Sequence, residues 1–279
     1  MTVLEALSRT TDYFFTKGIE NARLNAELLL CHVQACRRMD LYLNFDKPLT
    51  QPEVDAYREC VRRRGLREPV HYIIGACDFC DSTVAVTPAV LIPRPETEVL
   101  VQTVINDHEK QEGKRVLDLC TGSGAIAISL KKALASFSMC ASDSSGPALS
   151  VAKGNGEKNG TQVEWILSDL FSGLAGKMFD IIVSNPPYIR SDDLAGLMPE
   201  VRDFEPRIAL NGGADGLDFY RKIFSQAGAY LNESGELYLE TGDGQAGQVV
   251  AIAQDNGFSH VKTVKDLAGK ERIVVARKR

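Results

Sequence analysis

From residue 115 onward, short apolar stretches alternate with segments of helical character. The stretches RVLDLC, SMCASD, VEWILSD, FDIIVSN and GELYLET read as strands, with AIAISLKKAL, PALSVAKGNGEKNG and QAGQVVAIAQDNG among the helical segments. Helices between strands are typical of right-handed crossovers, so the pattern predicts an α/β fold with a mainly parallel, doubly wound sheet. The last two stretches, HVKTV and RIVVARK, are separated only by DLAGKE and predict a hairpin that adds an antiparallel strand at one edge.

The N-terminal region has helical periodicity instead. Apolar residues recur at helical spacing over residues 3–15, and Asn21 can cap a second helix with Leu24, Leu28 and Leu29 on its inward face. A third helix is predicted after Thr50, which has capping-box spacing to Glu53. We therefore predict a small helical domain over residues 1–75, a hairpin and linker over 76–95, and a second domain over 96–279.

Arg62, Arg63, Arg64 and Arg67 lie near the end of the third predicted helix. Cations at a helix C-terminus complement the helix dipole, so a solvated basic face is the favoured interpretation. Docking of an acidic partner is the alternative.

The composition is that of a globular protein of 279 residues with a formal net charge of −5, which argues against a broad nucleic-acid-binding face. The N-terminus lacks a basic start followed by an apolar run, so we expect a cytoplasmic protein without a signal peptide or membrane span. Seven scattered cysteines suit reduced thiols. Cys77 and Cys80 have metal-like spacing without a second pair, and we interpret them as half-buried hairpin residues with no metal site.

The junction between the first strand and its helix reads DLCTGSGAIA. Gly122 and Gly124 allow the backbone to approach a ligand closely, and the helix N-terminus offers free N–H groups. Asp143 ends the next strand, 19 residues beyond Gly124 (143 − 124), near the spacing at which a carboxylate accepts hydrogen bonds from ribose hydroxyls. The pattern predicts a cofactor that contains adenosine.

Two such cofactors fit the turn, a nicotinamide dinucleotide and S-adenosylmethionine. Asp118 precedes the glycines and puts negative charge beside the crevice, which suits an ammonium and a sulfonium better than a pyrophosphate. The four histidines lie away from the predicted strand ends, so hydride transfer has no evident proton relay. The residues therefore favour S-adenosylmethionine over the dehydrogenase alternative.

The stretch FDIIVS is followed by Asn185, Pro186, Pro187 and Tyr188, at the strand end that faces the same crevice. A planar amide or amine nitrogen is a poor nucleophile until acceptors hold its N–H groups. The Asn185 side-chain carbonyl and the Pro186 backbone carbonyl are two such acceptors, the prolines stiffen the loop, and the Tyr188 ring can cover the planar group. The stretch predicts methyl transfer without a strong base; the alternative is that Pro-Pro only ends a buried strand.

Together these motifs resemble the HemK/PrmC family of protein-glutamine methyltransferases. The resemblance covers nearly the whole chain and includes LIPRPETE at 91–98, SDLF at 168–171 and FEPRIAL at 204–210. NPPY alone is shared with methylases of nucleic-acid amino groups, whereas LIPRPETE together with FEPRIAL is more specific. The resemblance implies a class I S-adenosylmethionine-dependent methyltransferase fold, Rossmann-like, with a mostly parallel seven-stranded sheet, an antiparallel edge strand and a small N-terminal helical domain.

The resemblance also implies roles for individual residues. Cofactor contacts are implied for Asp118, Cys120, Thr121, Gly122, Ser123, Gly124, Asp143, Asp169, Leu170 and Asn185. Asn185, Pro186, Pro187 and Tyr188 would bind the target amide and catalyse transfer. For Arg94, a weak contact to substrate or cofactor and a salt bridge that holds the linker are equal alternatives, and weaker candidates still are Glu205, Arg207 and Glu240. Cys120 stands where the family usually has a first glycine, and Leu170 stands where an aromatic residue can occur.

The function implied is transfer of a methyl group to the side-chain amide nitrogen (N5) of the glutamine in the Gly-Gly-Gln motif of peptide chain release factors, with S-adenosyl-L-homocysteine as product. The helical domain would help to dock this partner, and a monomer that binds neither nucleic acid nor membrane is expected. The alternatives are methylation of an exocyclic amino group of a nucleic-acid base, a non-catalytic binding module, and a dehydrogenase.

Overall fold

The computed structural model describes residues 1–278. Along the chain its elements are α1 (Val3–Thr16), α2 (Ala22–Gln34), α3 (Arg38–Leu43), α4 (Gln51–Gly65), α5 (Val70–Ile74), β1 (Ala76–Phe79), β2 (Ser82–Ala85), α6 (Pro95–His108), β3 (Arg115–Leu119), α7 (Ala125–Ala133), β4 (Ser138–Asp143), α8 (Gly146–Lys158), β5 (Val163–Leu167), β6 (Phe179–Ser184), α9 (Pro199–Phe204), α10 (Asp218–Ala227), β7 (Leu231–Glu240), α11 (Ala246–Asp255), β8 (Ser259–Lys265) and β9 (Glu271–Arg277). Short 3₁₀ turns occur at Leu194–Gly196 and Arg207–Ala209. Within the described residues, no helix is long and apolar enough to cross a membrane.

The chain forms two compact units. The first contains Met1–Ala76 together with Met198–Phe204, and the second contains Cys77–Leu197 together with the chain from Glu205 onward. Each unit has its own apolar core, which in the first includes Phe14 and Leu29. The core of the second lies around β3, β6 and β7.

The first unit is helical, as predicted. The helix after Thr50 begins with the expected capping interaction, since the Thr50 backbone N–H donates to Glu53 Oε2 at 2.7 Å. The prediction for Leu24 was wrong, because its side chain is 37% exposed. Leu29 is buried, as predicted, and Leu28 is partly buried; Ala26 adds to the buried face of α2.

Arg64 differs from the prediction that the arginines near the end of the third helix form a solvated face. Its side chain is buried, and its guanidinium donates to Glu200 Oε1 at 2.9 Å and to Asn25 Oδ1 at 2.8 Å. Glu200 also accepts from Arg67, so two cations of the first unit share one carboxylate. The arginine pairs hold the pKa of Glu200 below its usual value, although burial opposes them. Arg64 therefore anchors the segment 198–204 within the first unit.

The second unit is built on a seven-stranded sheet in the order β5-β4-β3-β6-β7-β9-β8, which confirms the predicted fold class. The first five strands of that order are parallel, and β9 is antiparallel to both β7 and β8. The antiparallel strand is thus one position in from the edge, with β8 outside it. The separate hairpin β1-β2 contains Cys77, which is buried, and ends in a turn with exposed Cys80.

Replacing Glu200 with alanine tests the anchor inside the first unit. The change leaves the Arg64 guanidinium buried without its carboxylate, and we expect the free energy of unfolding to fall by about 3 kcal/mol. Urea denaturation followed by far-UV circular dichroism measures this change. Glu59→Ala is the control, because it removes an exposed ion pair with Arg62 and is expected to leave the midpoint unchanged. Equal effects of the two substitutions would contradict the assignment.

Candidate active site

A cleft that is partly open to solvent lies at the carboxyl ends of the central strands. Its wall includes the turn after β3, the loop after β4, residues 168–170 after β5, and Asn185 after β6. Because β3 pairs in parallel with both β4 and β6, these loops leave the sheet at the same edge. In an open α/β sheet, this edge of the sheet is where ligands bind.

The turn after β3 contains three residues with left-handed backbone, Cys120 (φ 63°), Gly122 (φ 56°) and Gly124 (φ 82°). A Cβ added to Gly122 would meet no atom within 4 Å, so this part of the cleft wall is open to a ligand. A Cβ on Gly124 would lie 3.0 Å from Trp165 Cη2 and 3.1 Å from Ala152 Cβ. Gly122 therefore leaves room for a bound molecule, whereas Gly124 allows the turn to pack.

Cys120 adopts a conformation that usually belongs to glycine, at a cost of roughly 1–2 kcal/mol. Its side chain lines the cleft and packs against the core of the second unit. Burial raises the pKa of its thiol well above the usual value, so the sulfur is protonated near neutral pH. The structure thus accommodates the cysteine, at the price of backbone strain.

Asp118 does not line the cleft, in contrast to the prediction that its charge lies beside the ligand. Its fully buried carboxyl accepts from Thr121 Oγ1 at 2.5 Å and from the Ala127 backbone N–H at 3.1 Å, both through Oδ2. Burial raises its pKa to about 7, and these two hydrogen bonds oppose that shift. Asp118 therefore fixes the glycine turn to the start of α7 from behind.

Asp143 lies in the cleft wall at the end of β4. Its Oδ2 accepts from the Gly122 backbone N–H at 2.9 Å, and its Oδ1 accepts from the Ser145 backbone N–H at 2.8 Å. A carboxylate oxygen can accept two hydrogen bonds, so each oxygen retains capacity for a ligand hydroxyl. Burial raises the pKa of Asp143, while the backbone hydrogen bonds lower it. This geometry fits the predicted ribose contact.

Thr121, Ser123, Asp169 and Leu170 also line the cleft. Leu170 is buried and has left-handed backbone (φ 48°). The preceding Ser168 accepts from the Gly173 backbone N–H at 2.8 Å and donates to the Leu170 carbonyl at 2.6 Å. The Ser168 hydroxyl thereby fixes the backbone of the loop from which Asp169 and Leu170 line the cleft.

Asn185 lies in the cleft wall, and its amide is held on one side only. Asn185 Nδ2 donates to Thr97 Oγ1 at 3.1 Å, and Thr97 Oγ1 donates to Glu240 Oε2 at 2.7 Å. Thr97 and Glu240 are both buried. Among residues 1–278, no hydrogen bond reaches Asn185 Oδ1. This oxygen is therefore available to a molecule in the cleft.

The rest of the Asn-Pro-Pro-Tyr segment is only partly in the wall. Pro187 lines the cleft and Pro186 is buried beside it. Tyr188 does not line the cleft, in contrast to the predicted ring cover over the target amide. Its ring packs against the core near Gly242, and its hydroxyl lies 3.5 Å from Glu240 Oε1, the outer limit of a hydrogen bond.

The Tyr188 backbone is held as well. Its carbonyl accepts from Gln245 Nε2 at 2.9 Å, and the next residue, Ile189, exchanges backbone hydrogen bonds of 2.9 and 2.8 Å with Leu210 and Gly212. Stiffness of the segment therefore comes from these partners as well as from its prolines.

Arg94 lines the cleft and donates to Glu205 Oε1 at 2.5 Å. Glu205 is buried, and burial raises its pKa while Arg94 lowers it. This ion pair joins Arg94 of LIPRPETE to Glu205 of FEPRIAL, and both residues belong to the second unit. Arg207, the remaining weak candidate, is exposed and does not line the cleft.

Sequence reasoning missed Thr97 and ranked Glu240 among the weakest candidates. Thr97 belongs to LIPRPETE, and the available signal was a hydroxyl in the first helical turn after two prolines. Glu240 ends the buried strand β7, where a carboxylate is uncommon. Neither signal places the two side chains together, since 143 residues separate them in the sequence.

Comparison with known families gives two matches. Residues 5–75 match the PrmC N-terminal domain, and residues 95–197 match the methyltransferase small domain. A protein of Geobacter sulfurreducens named release factor glutamine methyltransferase is 44% identical over 99% of this chain and 96% of its own length. A protein of the same name from Rhodopirellula baltica is 41% identical over 99% of this chain and 96% of its own length.

Two solved structures show the same fold at 19% sequence identity. A methyltransferase from Pyrococcus furiosus superposes with a TM-score of 0.54 over 70% of this chain and 88% of its own. A 16S rRNA N2 G1207 methyltransferase from T. thermophilus, in complex with AdoMet and guanosine, superposes with a TM-score of 0.55 over 73% of this chain and 50% of its own.

Alanine substitutions at Gly122 and Gly124 test which of the two glycines is needed for packing of the turn. Gly124→Ala adds a side chain against Trp165 in a left-handed conformation, and we expect it to lower the free energy of unfolding by about 3 kcal/mol. Gly122→Ala introduces the same backbone strain without a close contact, and we expect it to lower the free energy of unfolding by about 1 kcal/mol. Urea unfolding followed by fluorescence of Trp165, the single tryptophan, measures both. A larger loss for Gly122→Ala would contradict the described turn.

Proposed function

The chain belongs to the release factor glutamine methyltransferase family, and on that premise we propose that it methylates the side-chain amide nitrogen (N5) of a glutamine in peptide chain release factors. S-adenosyl-L-methionine is the methyl donor and S-adenosyl-L-homocysteine the product. By family resemblance the glutamine is that of the Gly-Gly-Gln motif. The observation that carries the proposal is the Asn185 amide, held by its nitrogen with its oxygen available in the cleft.

The glycine turn and Asp143 support the choice of cofactor. Gly122 leaves space at the cleft wall, and the Asp143 carboxylate can accept hydrogen bonds from the two ribose hydroxyls. Leu170 offers an apolar surface to the adenine. When bound, S-adenosylmethionine supplies a methyl group on a sulfonium, with a neutral thioether as the leaving group.

The target amide requires orientation more than it requires a base. Its nitrogen is planar and its lone pair is delocalised, so the protein must hold both N–H groups and direct the nitrogen towards the methyl group. Asn185 Oδ1 accepts one N–H, and the Pro186 backbone carbonyl is the second acceptor. The methylated nitrogen is strongly acidic and releases its proton to water. Catalysis by alignment is thus compatible with a cleft wall in which residues 1–278 place no histidine.

Asn185→Ala tests the central role. We expect transfer from labelled S-adenosylmethionine to release factor to fall at least about 100-fold in kcat, because the nitrogen loses an acceptor that aligns it. Asn256→Ala, an exposed asparagine at the end of α11, is the matched control and should retain activity.

The same assay distinguishes the substrates. Parallel reactions contain release factor, tRNA, rRNA or DNA with equal amounts of labelled cofactor. Label on release factor that depends on Asn185 is the expected result. Label on nucleic acid alone would support the base-methylating alternative, and saturable binding without transfer to any substrate would support a binding module.

Asp143→Asn tests the cofactor site separately. One carboxylate oxygen becomes an NH₂ group that accepts neither a ribose hydroxyl nor a backbone N–H, so we expect the Kd for S-adenosyl-L-homocysteine to rise about 10- to 100-fold. Isothermal titration calorimetry measures the Kd, with exposed Asp255→Asn as the control. An unchanged Kd for Asp143→Asn would remove the carboxylate from the binding site.

A further inference from the structure

Asn185 alone does not determine which end of its amide faces the cleft. The amide oxygen and nitrogen are nearly equal in size, and only the oxygen can accept an N–H from a substrate amide. With the nitrogen outward, two donors would face each other. Some neighbouring group must therefore select the orientation.

We infer that Thr97 and Glu240 are positioning residues, which hold the Asn185 amide with its oxygen towards the substrate. The inference rests on the proposed function, since it specifies how the acceptor of that reaction is set. Thr97 lies in the first turn of α6, and Glu240 ends β7. Because β6 and β7 are parallel, with Ser184 opposite Leu239, Asn185 and Glu240 leave the sheet at the same level.

The direction of the hydrogen bonds among Glu240, Thr97 and Asn185 determines which end of the Asn185 amide faces the cleft. An ionised carboxylate only accepts, so at 2.7 Å from Glu240 the Thr97 hydroxyl directs its single proton to that carboxylate. The Thr97 oxygen is then an acceptor, and the group 3.1 Å away on Asn185 must be the NH₂ end. Asn185 Oδ1 is left facing the cleft.

Glu240 faces several other groups, and they bear on its ionisation. Tyr188 and Glu96 lie near it from the loop after β6 and from α6, Arg272 lies near it from β9, and Tyr220 of α10 donates to its backbone carbonyl at 2.8 Å. Burial raises the pKa of Glu240 to about 7, while Thr97, Arg272 and Tyr188 lower it and Glu96 raises it. A protonated Glu240 can donate to the Thr97 oxygen. The Thr97 hydroxyl can then donate to Asn185, so the orientation of the Asn185 amide is no longer fixed.

The first test compares hydroxyl variants on one helix. Thr97→Val keeps the shape and removes the hydroxyl, and kcat for release factor methylation is expected to fall at least about 10-fold with little change in the KM for S-adenosylmethionine. Thr97→Ser retains the hydroxyl and is expected to lose less. Thr103→Val is the matched control, since the Thr103 hydroxyl donates to the Val99 carbonyl of the same helix. Equal kcat for wild type and Thr97→Val would overturn the inference while leaving the proposed function intact.

The second test uses pH. Because catalysis requires ionised Glu240, we expect kcat of the wild type to fall as the pH is lowered through about 7, the pKa of Glu240. Asp118 also has a pKa raised to about 7, so the informative result is whether this fall disappears in Glu240→Gln. We expect Glu240→Gln to have a kcat at least about 10-fold lower at pH 8 and a flatter profile between pH 6 and 8. A profile that keeps the wild-type shape would contradict the role of Glu240.

A third measurement does not depend on the substrate. The side-chain NH₂ resonances of Asn185, assigned by their absence in Asn185→Ala, report the hydrogen bond to Thr97 by NMR. We expect one of the two protons to exchange slowly with solvent in the wild type and faster in Thr97→Val. If the wild type transferred no methyl group but showed this protection, the proposed function would fail and the positioning contact would stand. Equal exchange in both proteins would overturn the contact itself.

Discussion

Parallel pairing between β3 and β6 brings the two halves of the site to one edge of the sheet. The pairing sets Leu119 opposite Ser184, and Ser184 Oγ donates to the Leu119 carbonyl at 2.5 Å, so both strands end at the same level. The glycine turn follows one strand and Asn185 follows the other. Under the proposed function, a cofactor held by the turn and a substrate held by Asn185 would therefore be neighbours. A shift of this register would separate donor from acceptor.

Much of the site is locally unfavourable and depends on the surrounding fold. Cys120 and Leu170 adopt left-handed backbone that favours glycine, and Asp118 and Glu240 are buried acids whose pKa values rise to about 7. Each acid accepts hydrogen bonds that position part of the site. Asp118 holds the turn against α7, and Glu240 orients Thr97, which in turn orients Asn185. Strained backbone and buried charge of this kind commonly concentrate at functional sites.

Local patterns predicted the architecture well. The alternation of apolar stretches and helices predicts the strands of the large sheet, and the spacing of glycines and Asp143 predicts a turn and an acid that do lie together in the cleft wall. The misses concern contacts that local patterns cannot encode. Arg64 is buried because Glu200, 136 residues away, reaches it. Asp118 turns behind the loop, and Tyr188 packs towards Gly242, because their hydrogen-bonding and packing partners come from other elements.

The central claim is that Asn185 presents its amide oxygen, and not its nitrogen, to the substrate. The most direct measurement is a neutron structure of the protein with S-adenosyl-L-homocysteine and a glutamine-containing substrate peptide, since neutrons distinguish the two ends of an amide. We predict deuterons on the Asn185 nitrogen directed at Thr97, and the substrate amide nitrogen about 3 Å from Asn185 Oδ1. An Asn185 oxygen turned towards Thr97, or a glutamine amide bound away from Asn185, would contradict the account.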